Sequence, residues 1–311
     1  MRILVLGAGG TGGFFGGRAA QAGVDVTFLV RPARAALLRE KGLRIKTGQG
    51  MDVIQPRLAT ADAPGGPYDV VILSCKAYDL DGAIEAIRPA MQQNPEAVVL
   101  PILNGMRHYD ALDAAFGKQR VLGGLCHVMA TMGPQGEIVI MGPLGAIIYG
   151  ERAGGTSERC QALRKALEPA AFETKPSDDI NQDIWEKYIF LSTLAAATCL
   201  MRGSVGEIVR STGGEPFMRS LLGEIDRIAQ GHGHGMRPKA EAFSAGMLTD
   251  SASGATASMF RDLRQGGQIE GEHLIGDLVQ RADGLGLQVP YLRAAYVHIQ
   301  VYLAQRAARQ G

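Results

Sequence analysis

The 311-residue chain is 46% apolar and 20% charged, a composition typical of a globular protein with enough residues for two domains. Its 32 basic and 31 acidic residues leave a net charge of +1, so charge gives no reason to expect nucleic acid or a membrane as a partner. The four cysteines are widely spaced, and neither a signal peptide nor an apolar run of about 20 residues is evident. We therefore expect a cytoplasmic protein with reduced thiols.

Short apolar runs alternate with helical patterns through the first half of the chain. This alternation predicts an α/β domain with a mostly parallel, doubly wound sheet. Strands are predicted at 3–6, 25–30, 70–74, 97–103 and 121–127, and helices at 11–22, 32–41, 80–93 and 106–116.

Two hairpins are predicted beside these elements. Two short alternating segments between Leu43 and Leu58 should pair with each other. Glu137–Met141 should pair with Ala146–Tyr149 through the turn 142–145, whose sequence is Gly-Pro-Leu-Gly. The second hairpin is expected to extend the edge of the sheet.

After the polar stretch 175–182 the hydrophobic period changes from that of strands to that of helices. Apolar residues recur at helical spacing over 221–229 and again over 274–282. The sequence therefore predicts a first domain at 1–177 and a second, all-helical domain at 178–311.

The segment Gly7-Ala8-Gly9-Gly10-Thr11-Gly12 matches the pattern G-x-G-x-x-G between the first strand and the first helix. The first glycine permits a tight turn, the second admits a pyrophosphate, and the third lets helix and strand pack closely. Backbone N–H groups at the start of the helix would bind the phosphates. We interpret residues 1–177 as a Rossmann-type dinucleotide-binding domain, the alternative being a glycine-rich turn without a ligand.

The end of the second strand indicates which dinucleotide binds. NAD sites usually carry an acid there, whereas this chain has Arg31, with Arg34 one turn further. A guanidinium can bind a 2′-phosphate through charge-assisted hydrogen bonds. NADP(H) is therefore the predicted cofactor, and a solvated arginine is the alternative.

The glycine turn and Arg31 are the first of a series of short motifs that are spread along the chain. Through this series the sequence resembles the 2-dehydropantoate 2-reductase (ketopantoate reductase) family nearly end to end, as a divergent paralogue. The series comprises the glycine turn, Arg31, Ser74-Cys75-Lys76, Leu103-Asn104-Gly105-Met106, Trp185-Glu186-Lys187, the segment 258–262 (Ser-Met-Phe-Arg-Asp) and Glu270.

The resemblance implies an NADPH-dependent reductase that transfers hydride to the carbonyl carbon of a small molecule. Lys76, Asn104, Glu270 and the backbone near Met129 would contact the cofactor, as would Gly7, Gly9, Gly10, Thr11 and Gly12. The alternative for Lys76 and Asn104 is that they are ordinary loop residues, and for Glu270 that it caps or pairs.

The resemblance also implies that Lys187 is the catalytic proton donor, in a helical domain that closes over the substrate. Ser258 would bind substrate. A solvated helix residue is the alternative for Lys187, and Ser258 is equally compatible with no role.

The sequence departs from the family beyond Lys187. Members that reduce ketopantoate carry three asparagines at positions that match Leu191, Ala195 and Val205 here. Lys187, Leu191 and Ala195 are spaced i, i+4 and i+8 on one helix face, so the polar substrate contacts are replaced by an apolar surface. Leu191 and Ala195 are therefore predicted to bind a more apolar 2-oxo acid or ketone, with Ser192, Thr193 or Arg202 as candidate polar contacts.

Two alternatives remain open for the function. One is a true 2-dehydropantoate 2-reductase of pantothenate biosynthesis that has rebuilt its substrate contacts. The other is a non-catalytic NADP(H)-binding redox sensor, against which the retained Lys187 and Glu270 argue. The helical domain could support a homodimer.

Two further features are interpreted as structural. His232 and His234 lack the neighbouring acids or cysteines of a metal site and are expected at the end of a helix, so no metal is predicted. Cys75 is expected to be an inert core cysteine at the end of a buried strand.

Overall fold

The computed structural model describes residues 1–142 and 145–309. The chain forms two compact units. The first comprises residues up to Asn104 together with His108–Ile180, and the second comprises Gly105–Arg107 together with the chain from Asn181 onward.

The first unit has an α/β architecture. Its strands are β1 (Ile3–Leu6), β2 (Val26–Leu29), β3 (Leu43–Thr47), β4 (Gly50–Ile54), β5 (Arg57–Ala59), β6 (Val70–Leu73), β7 (Val98–Pro101), β8 (Gly123–His127), β9 (Ala130–Met132), β10 (Ile138–Ile140), β11 (Ala146–Gly150) and β12 (Glu173–Pro176). Its helices are α1 (Gly10–Gln21), α2 (Pro32–Lys41), α3 (Leu80–Gln93), α4 (His108–Phe116) and α5 (Glu158–Leu167).

A five-stranded parallel sheet forms the centre of this unit, in the order β5-β2-β1-β6-β7. All residues of β1, β2, β6 and β7 are buried, as expected for parallel strands that are covered on both faces. Because the strands are parallel, their carboxyl ends lie at one edge, where doubly wound sheets bind ligands. The predicted Rossmann-type sheet is confirmed.

Two smaller sheets complete the unit, in the orders β4-β3-β10-β9 and β12-β11-β8. The predicted hairpin between Leu43 and Leu58 is confirmed as the antiparallel pair β3 and β4. The second predicted hairpin is wrong, because β10 pairs with β3 and β9 whereas β11 pairs with β8 and β12. Two residues of its predicted turn, Pro143 and Leu144, lie outside the described residues.

The regular secondary structure of the second unit is helical throughout its described residues. Its helices are α6 (Ile180–Met201), α7 (Val205–Arg210), α8 (Gly214–Gly231), α9 (Pro238–Leu248), α10 (Ser258–Arg264), α11 (Asp277–Gly284) and α12 (Pro290–Ala308), with a π-helical turn at Glu272–Gly276 before α11. Residues 221–229, predicted to be helical, lie in α8 as expected. Residues 274–282, also predicted to be helical, begin in the π-helical turn and continue into α11.

The later turns of helix α6 contribute to the core of this unit, because their sequence is apolar on nearly every face. Ala195, Ala196, Ala197 and Cys199 are at most 2% exposed and belong to the core. Two hydroxyls on α6 are satisfied within the helix: Thr193 donates to the Ile189 carbonyl at 2.8 Å and Thr198 to the Leu194 carbonyl at 2.7 Å.

A buried carboxylate on α8 caps the start of α12. Glu224 is 3% exposed and accepts hydrogen bonds from the backbone N–H groups of Tyr291 (3.2 Å) and Leu292 (2.9 Å). The N-cap residue of α12 is Val289, whose apolar side chain cannot accept these hydrogen bonds. Glu224 therefore satisfies N–H groups that a helix cannot satisfy internally.

We expect Glu224→Ala to lower the free energy of unfolding by about 2–4 kcal/mol, because it removes two charge-assisted hydrogen bonds and leaves the buried Leu292 N–H without its acceptor. Urea denaturation would measure the loss. Glu215→Ala, on the exposed face of α8 in a surface pair with Arg219, is the matched control and should cost less than about 0.5 kcal/mol. Equal losses in the two variants would contradict the capping role.

Within the described part of the chain, no helix combines the length and the apolar composition needed to cross a membrane.

Candidate active site

The glycine turn lies at the carboxyl end of β1 and opens α1. Gly7 has φ +89°, in the region that glycine alone adopts readily. A Cβ at Gly12 would come 2.8 Å from the Gly7 carbonyl oxygen and would overlap the Ser74 Oγ. The Ser74 hydroxyl also donates to the Leu6 carbonyl at 3.0 Å, which ties the end of β6 to the end of β1. The third glycine of the motif is therefore required for close packing.

The second glycine of the motif is not required by the protein's own packing. A Cβ at Gly9 would meet nothing within 4 Å, and its φ of −84° suits any residue. Gly9 is also the N-cap residue of α1 and offers no side chain to the helix N–H groups. An open approach to free N–H groups is what a pyrophosphate needs, so this turn fits a dinucleotide.

The two arginines that follow β2 differ in their surroundings. Arg34 is half-buried and donates to the carbonyls of Ala8 (2.8 Å) and Gly136 (3.1 Å), so it fixes the glycine turn against the β9–β10 turn. Burial, and secondarily Arg44, lowers the pKa of Arg34, but a guanidinium stays charged at neutral pH. The Arg31 side chain is 83% exposed and forms an ion pair with Asp79 at 2.9 Å.

Lys76 and Asn104 follow β6 and β7, which are neighbours in the sheet. Both residues are half-buried, and both lie at the edge that carries the glycine turn. The structure thus brings together the sequence-predicted cofactor residues of the first unit. The expectation of a core position for Cys75 is wrong, because this residue is half-buried just beyond the end of β6.

Met129 also lies beside the glycine turn, for a reason that the sequence did not reveal. It precedes the short strand β9, and Ala130 of that strand lies next to the start of α1, where a Cβ on Gly10 would be 3.5 Å away. Thr11, in the first turn of α1, is half-buried. The Met129 side chain is itself 54% exposed.

In the second unit, Lys187 lies on the second turn of α6 with a half-buried side chain. The two residues before it, Glu186 and Trp185, are fixed by a hydrogen bond and by burial. Glu186 accepts from the Arg237 guanidinium at 2.7 Å, and Trp185 is 3% exposed. Burial would raise the pKa of Glu186, but the hydrogen bonds from Arg237 bring the pKa below its usual value.

A buried tyrosine connects this turn of α6 to the segment after Glu270. The Tyr188 hydroxyl donates to the Leu274 carbonyl at 2.6 Å and lies 3.0 Å from the Asp277 carboxylate. Burial and the Asp277 charge raise the pKa of Tyr188 well above its ordinary value, so the hydroxyl remains a donor. Glu270 is 9% exposed, and its carbonyl accepts from the Leu274 N–H at 3.0 Å.

The other predicted substrate residues differ in accessibility. Ser258 is exposed at the first residue of α10, and Leu191 is half-buried. Ala195 is 2% exposed and Val205 is fully buried, so both contribute to the core of the unit. Of the apolar residues that replace the family's asparagines, Leu191 is thus the accessible one.

The candidate polar replacements differ as well. The Ser192 hydroxyl is buried and has no hydrogen-bond partner in the described part of the chain. Thr193 is occupied by the carbonyl four residues back on α6. Arg202 is exposed just after α6 and has a positive φ of 59°.

The two histidines after α8 pack on an aromatic ring. The imidazoles of His232 and His234 stack on Trp185 with ring centroids 5.5 and 6.0 Å away, and the Arg281 guanidinium lies 5.4 Å from the same ring. Burial, and secondarily Arg281, lowers the pKa of His232. Across the described residues, no group of three or more His, Cys, Asp or Glu side chains is arranged to hold a metal ion.

Comparison with known proteins places this architecture in a family. Residues 3–154 match the family described as Ketopantoate reductase PanE/ApbA, and residues 179–303 match its C-terminal family. The chain belongs to the ketopantoate reductase family. It is therefore a ketopantoate reductase-like oxidoreductase, as the resemblance in the sequence predicted.

Similar proteins cover nearly the whole chain. The Bacillus subtilis (strain 168) protein named "Uncharacterized oxidoreductase YkpB" is 39% identical over 98% of this chain and 100% of its own length. A 2-dehydropantoate 2-reductase of Halobacterium salinarum is 28% identical over 98% of this chain and 99% of its own length. These relatives extend the family assignment over both units.

Solved structures share the fold. A ketopantoate reductase of this family from Ralstonia eutropha JMP134 superposes with a TM-score of 0.88 at 24% identity, covering 99% of this chain and 100% of that one. D-mandelate dehydrogenase, solved with NADH and anilino(oxo)acetate, superposes with a TM-score of 0.88 at 19% identity and the same coverage. The fold of the two units is thus that of ketopantoate reductases.

Sequence reasoning missed two contacts at the candidate site. The Asp79 carboxylate meets Arg31 across 48 positions of the chain, and the Tyr188 hydroxyl meets Leu274 across 86. An acid three residues after Lys76 was visible in the sequence, but no spacing rule connects it to the end of β2. Both contacts depend on the tertiary fold.

Proposed function

We propose that this protein is an NADPH-dependent reductase that transfers hydride to the carbonyl carbon of a 2-oxo acid or related ketone. The observation that carries the proposal is the glycine turn with its open Gly9, followed at the end of β2 by Arg31 instead of an acid. Membership of an oxidoreductase family supports the reaction type.

The cofactor residues are proposed to be the glycine turn, Arg31, Lys76, Asn104, the backbone at Met129, and Glu270. The free N–H groups of α1 would bind the pyrophosphate, and the exposed guanidinium of Arg31 would bind the 2′-phosphate. When bound, NADPH supplies the hydride.

Lys187 is proposed to donate a proton to the carbonyl oxygen as negative charge develops there. Its position on α6 supports this role, since Glu186 and Trp185 beside it are held by Arg237 and by the core. A donor on a rigid helix loses little entropy on reaching the reactive geometry. Ser258 is proposed to contact the substrate, as its exposed position at the start of α10 allows.

The proposed substrate has an apolar group near Leu191. An asparagine at this position would offer a donor and an acceptor, whereas leucine offers neither. Each buried CH₂ of a ligand contributes about 0.8 kcal/mol, so longer or branched aliphatic chains should bind better. The buried Ala195 supports this surface from behind rather than touching a ligand directly.

We expect the wild-type protein to reduce the deoxy analogue of ketopantoate, with methyl in place of hydroxymethyl, better than ketopantoate. A buried hydroxyl without a partner costs about 1–3 kcal/mol, which corresponds to about a 5- to 150-fold difference in kcat/KM. Leu191→Asn should shift the preference toward ketopantoate. The measurement is NADPH oxidation with both compounds.

A matched control separates substrate recognition from helix stability. Leu200 is also half-buried on α6 but lies nine residues from Leu191, on the opposite face. Leu200→Asn should leave the ratio of the two kcat/KM values unchanged. A wild-type preference for ketopantoate would refute the apolar surface and favour a true 2-dehydropantoate 2-reductase, the activity named for the Halobacterium relative.

The broader proposal is tested by NADPH and NADH oxidation across a panel of 2-oxo acids and ketones. Turnover with NADPH supports it. Tight NADPH binding without turnover of any carbonyl compound would instead favour a non-catalytic redox sensor, for which the missing asparagines are the one supporting observation.

A further inference from the structure

The arginine proposed to bind the 2′-phosphate already has a partner in the protein. The Arg31 Nη2 donates to the Asp79 Oδ1 at 2.9 Å, which is the one side-chain hydrogen bond of Arg31 among the described residues. Arg34, by contrast, is held by the carbonyls of Ala8 and Gly136. Arg31 is thus the guanidinium that can change partner, and Asp79 is the group it must leave.

The Asp79 carboxylate has no evident role in the fold. Asp79 is the N-cap residue of α3, where aspartate normally accepts a hydrogen bond from the first turn, yet its side chain makes no capping bond. The two partners are 83% and 39% exposed, and exposed ion pairs add little to stability. The contact is therefore not explained as a structural pair.

The position of Asp79 joins two parts of the proposed cofactor site. It ends the 3-10 turn Ala77–Asp79, whose N-cap residue is Lys76, and its backbone N–H donates to the Lys76 carbonyl at 2.9 Å. Its carboxylate thus brings a negative charge of the loop after β6 into contact with the residue after β2. A phosphate on Arg31 would meet this negative charge at close range.

We propose that Asp79 is a specificity-determining residue that competes with the 2′-phosphate for Arg31 and so reduces the preference for NADPH over NADH. The inference rests on the proposed function, in that Arg31 is taken to bind the 2′-phosphate. NADH carries no phosphate there, so its binding does not require the ion pair to break.

The test is calorimetric binding of NADPH and NADH to the wild type and to Asp79→Asn, at low and physiological salt. We expect Asp79→Asn to lower the Kd for NADPH about 3- to 10-fold and to leave the Kd for NADH within about 2-fold. The gain should be larger at low salt, because screening weakens the repulsion that the substitution removes.

Two further variants make the test specific. Asp81→Asn removes an equal charge two residues away, on an exposed residue that makes no ion pair with Arg31, and should change the NADPH Kd by less than about 2-fold. In the Arg31→Ala background, the gain from Asp79→Asn should fall to less than half. A merely structural Asp79 would show an altered melting temperature without this coupling.

The proposal is overturned if Asp79→Asn leaves the NADPH Kd unchanged, raises it, or matches Asp81→Asn. If Arg31→Ala weakens NADPH selectively while Asp79→Asn has no effect, the proposed cofactor stands and only the role of Asp79 fails. If Arg31→Ala does not affect NADPH, the cofactor proposal and the role of Asp79 fail together.

Discussion

Lys187→Ala should reduce kcat by about 10²- to 10⁴-fold, the usual contribution of a positioned general acid. The Kd for NADPH should change little, because the proposed cofactor contacts come from other residues. This pattern separates a proton donor from a binding residue, which would raise KM or Kd instead. Single-turnover reduction of the best substrate in the panel would measure it.

The conservative variant and a distant lysine serve as controls. Lys187→Arg should rescue poorly, because a guanidinium does not release its proton near neutral pH. Lys239→Ala removes an exposed lysine from α9 and should retain wild-type turnover. Trp185 is the one tryptophan of the chain and lies two residues from Lys187, so its fluorescence reports whether α6 is intact. Wild-type turnover by an intact Lys187→Ala variant would refute the mechanism.

The parallel sheet could be predicted because its signals are local. The residues of β1, β2, β6 and β7 are apolar except for Thr27, and helices α2 and α3 have the predicted bounds of 32–41 and 80–93. Burial on both faces leaves such strands little alternative to the centre of a sheet. The glycine turn is also local, since it needs only a strand before it and a helix after it.

The strand partners of β10 and β11 could not be predicted in the same way. Their sequences fit a hairpin, but β11 instead pairs with β8 and with β12, which lies more than 20 residues further along the chain. Strand β12 overlaps only the start of the polar stretch that marked the predicted end of the first domain, and its residues alternate between exposed and half-buried. Edge strands of this kind carry a weak hydrophobic signal.

Helical spacing placed Lys187, Leu191 and Ala195 on one face of α6 but could not distinguish their exposure. Ala195 is buried in the core whereas Leu191 is half-buried, because other helices pack around the later turns of α6. For the two arginines after β2, sequence spacing likewise could not predict the surroundings of the side chains. Spacing alone makes Arg31 and Arg34 equivalent, and only the fold gives Arg34 the Ala8 carbonyl of the glycine turn as an acceptor.

Because their contacts differ, we expect different results from replacing the two arginines. Arg31→Ala should raise the Kd for NADPH about 10- to 100-fold and leave NADH nearly unchanged, because a charge-assisted contact worth about 1.5–3 kcal/mol is lost with only one cofactor. Arg34→Ala should weaken both cofactors, because it releases the Ala8 carbonyl and with it the turn that both pyrophosphates share.

Calorimetric titration with both cofactors distinguishes the two roles, and Arg39→Ala is the control for net charge. Arg39 is exposed on the same helix, α2, so its removal lowers the positive charge equally without touching the end of β2. If Arg39→Ala and Arg31→Ala both lower the affinity for NADPH, the part of the loss that they share comes from the reduced positive charge of the protein, an effect that salt screens.

Equal weakening of NADPH and NADH binding by Arg31→Ala would show that Arg31 supports the glycine turn as Arg34 does. The 2′-phosphate would then need a different partner, and Arg44, which lies close enough to lower the pKa of Arg34, would be the next residue to replace.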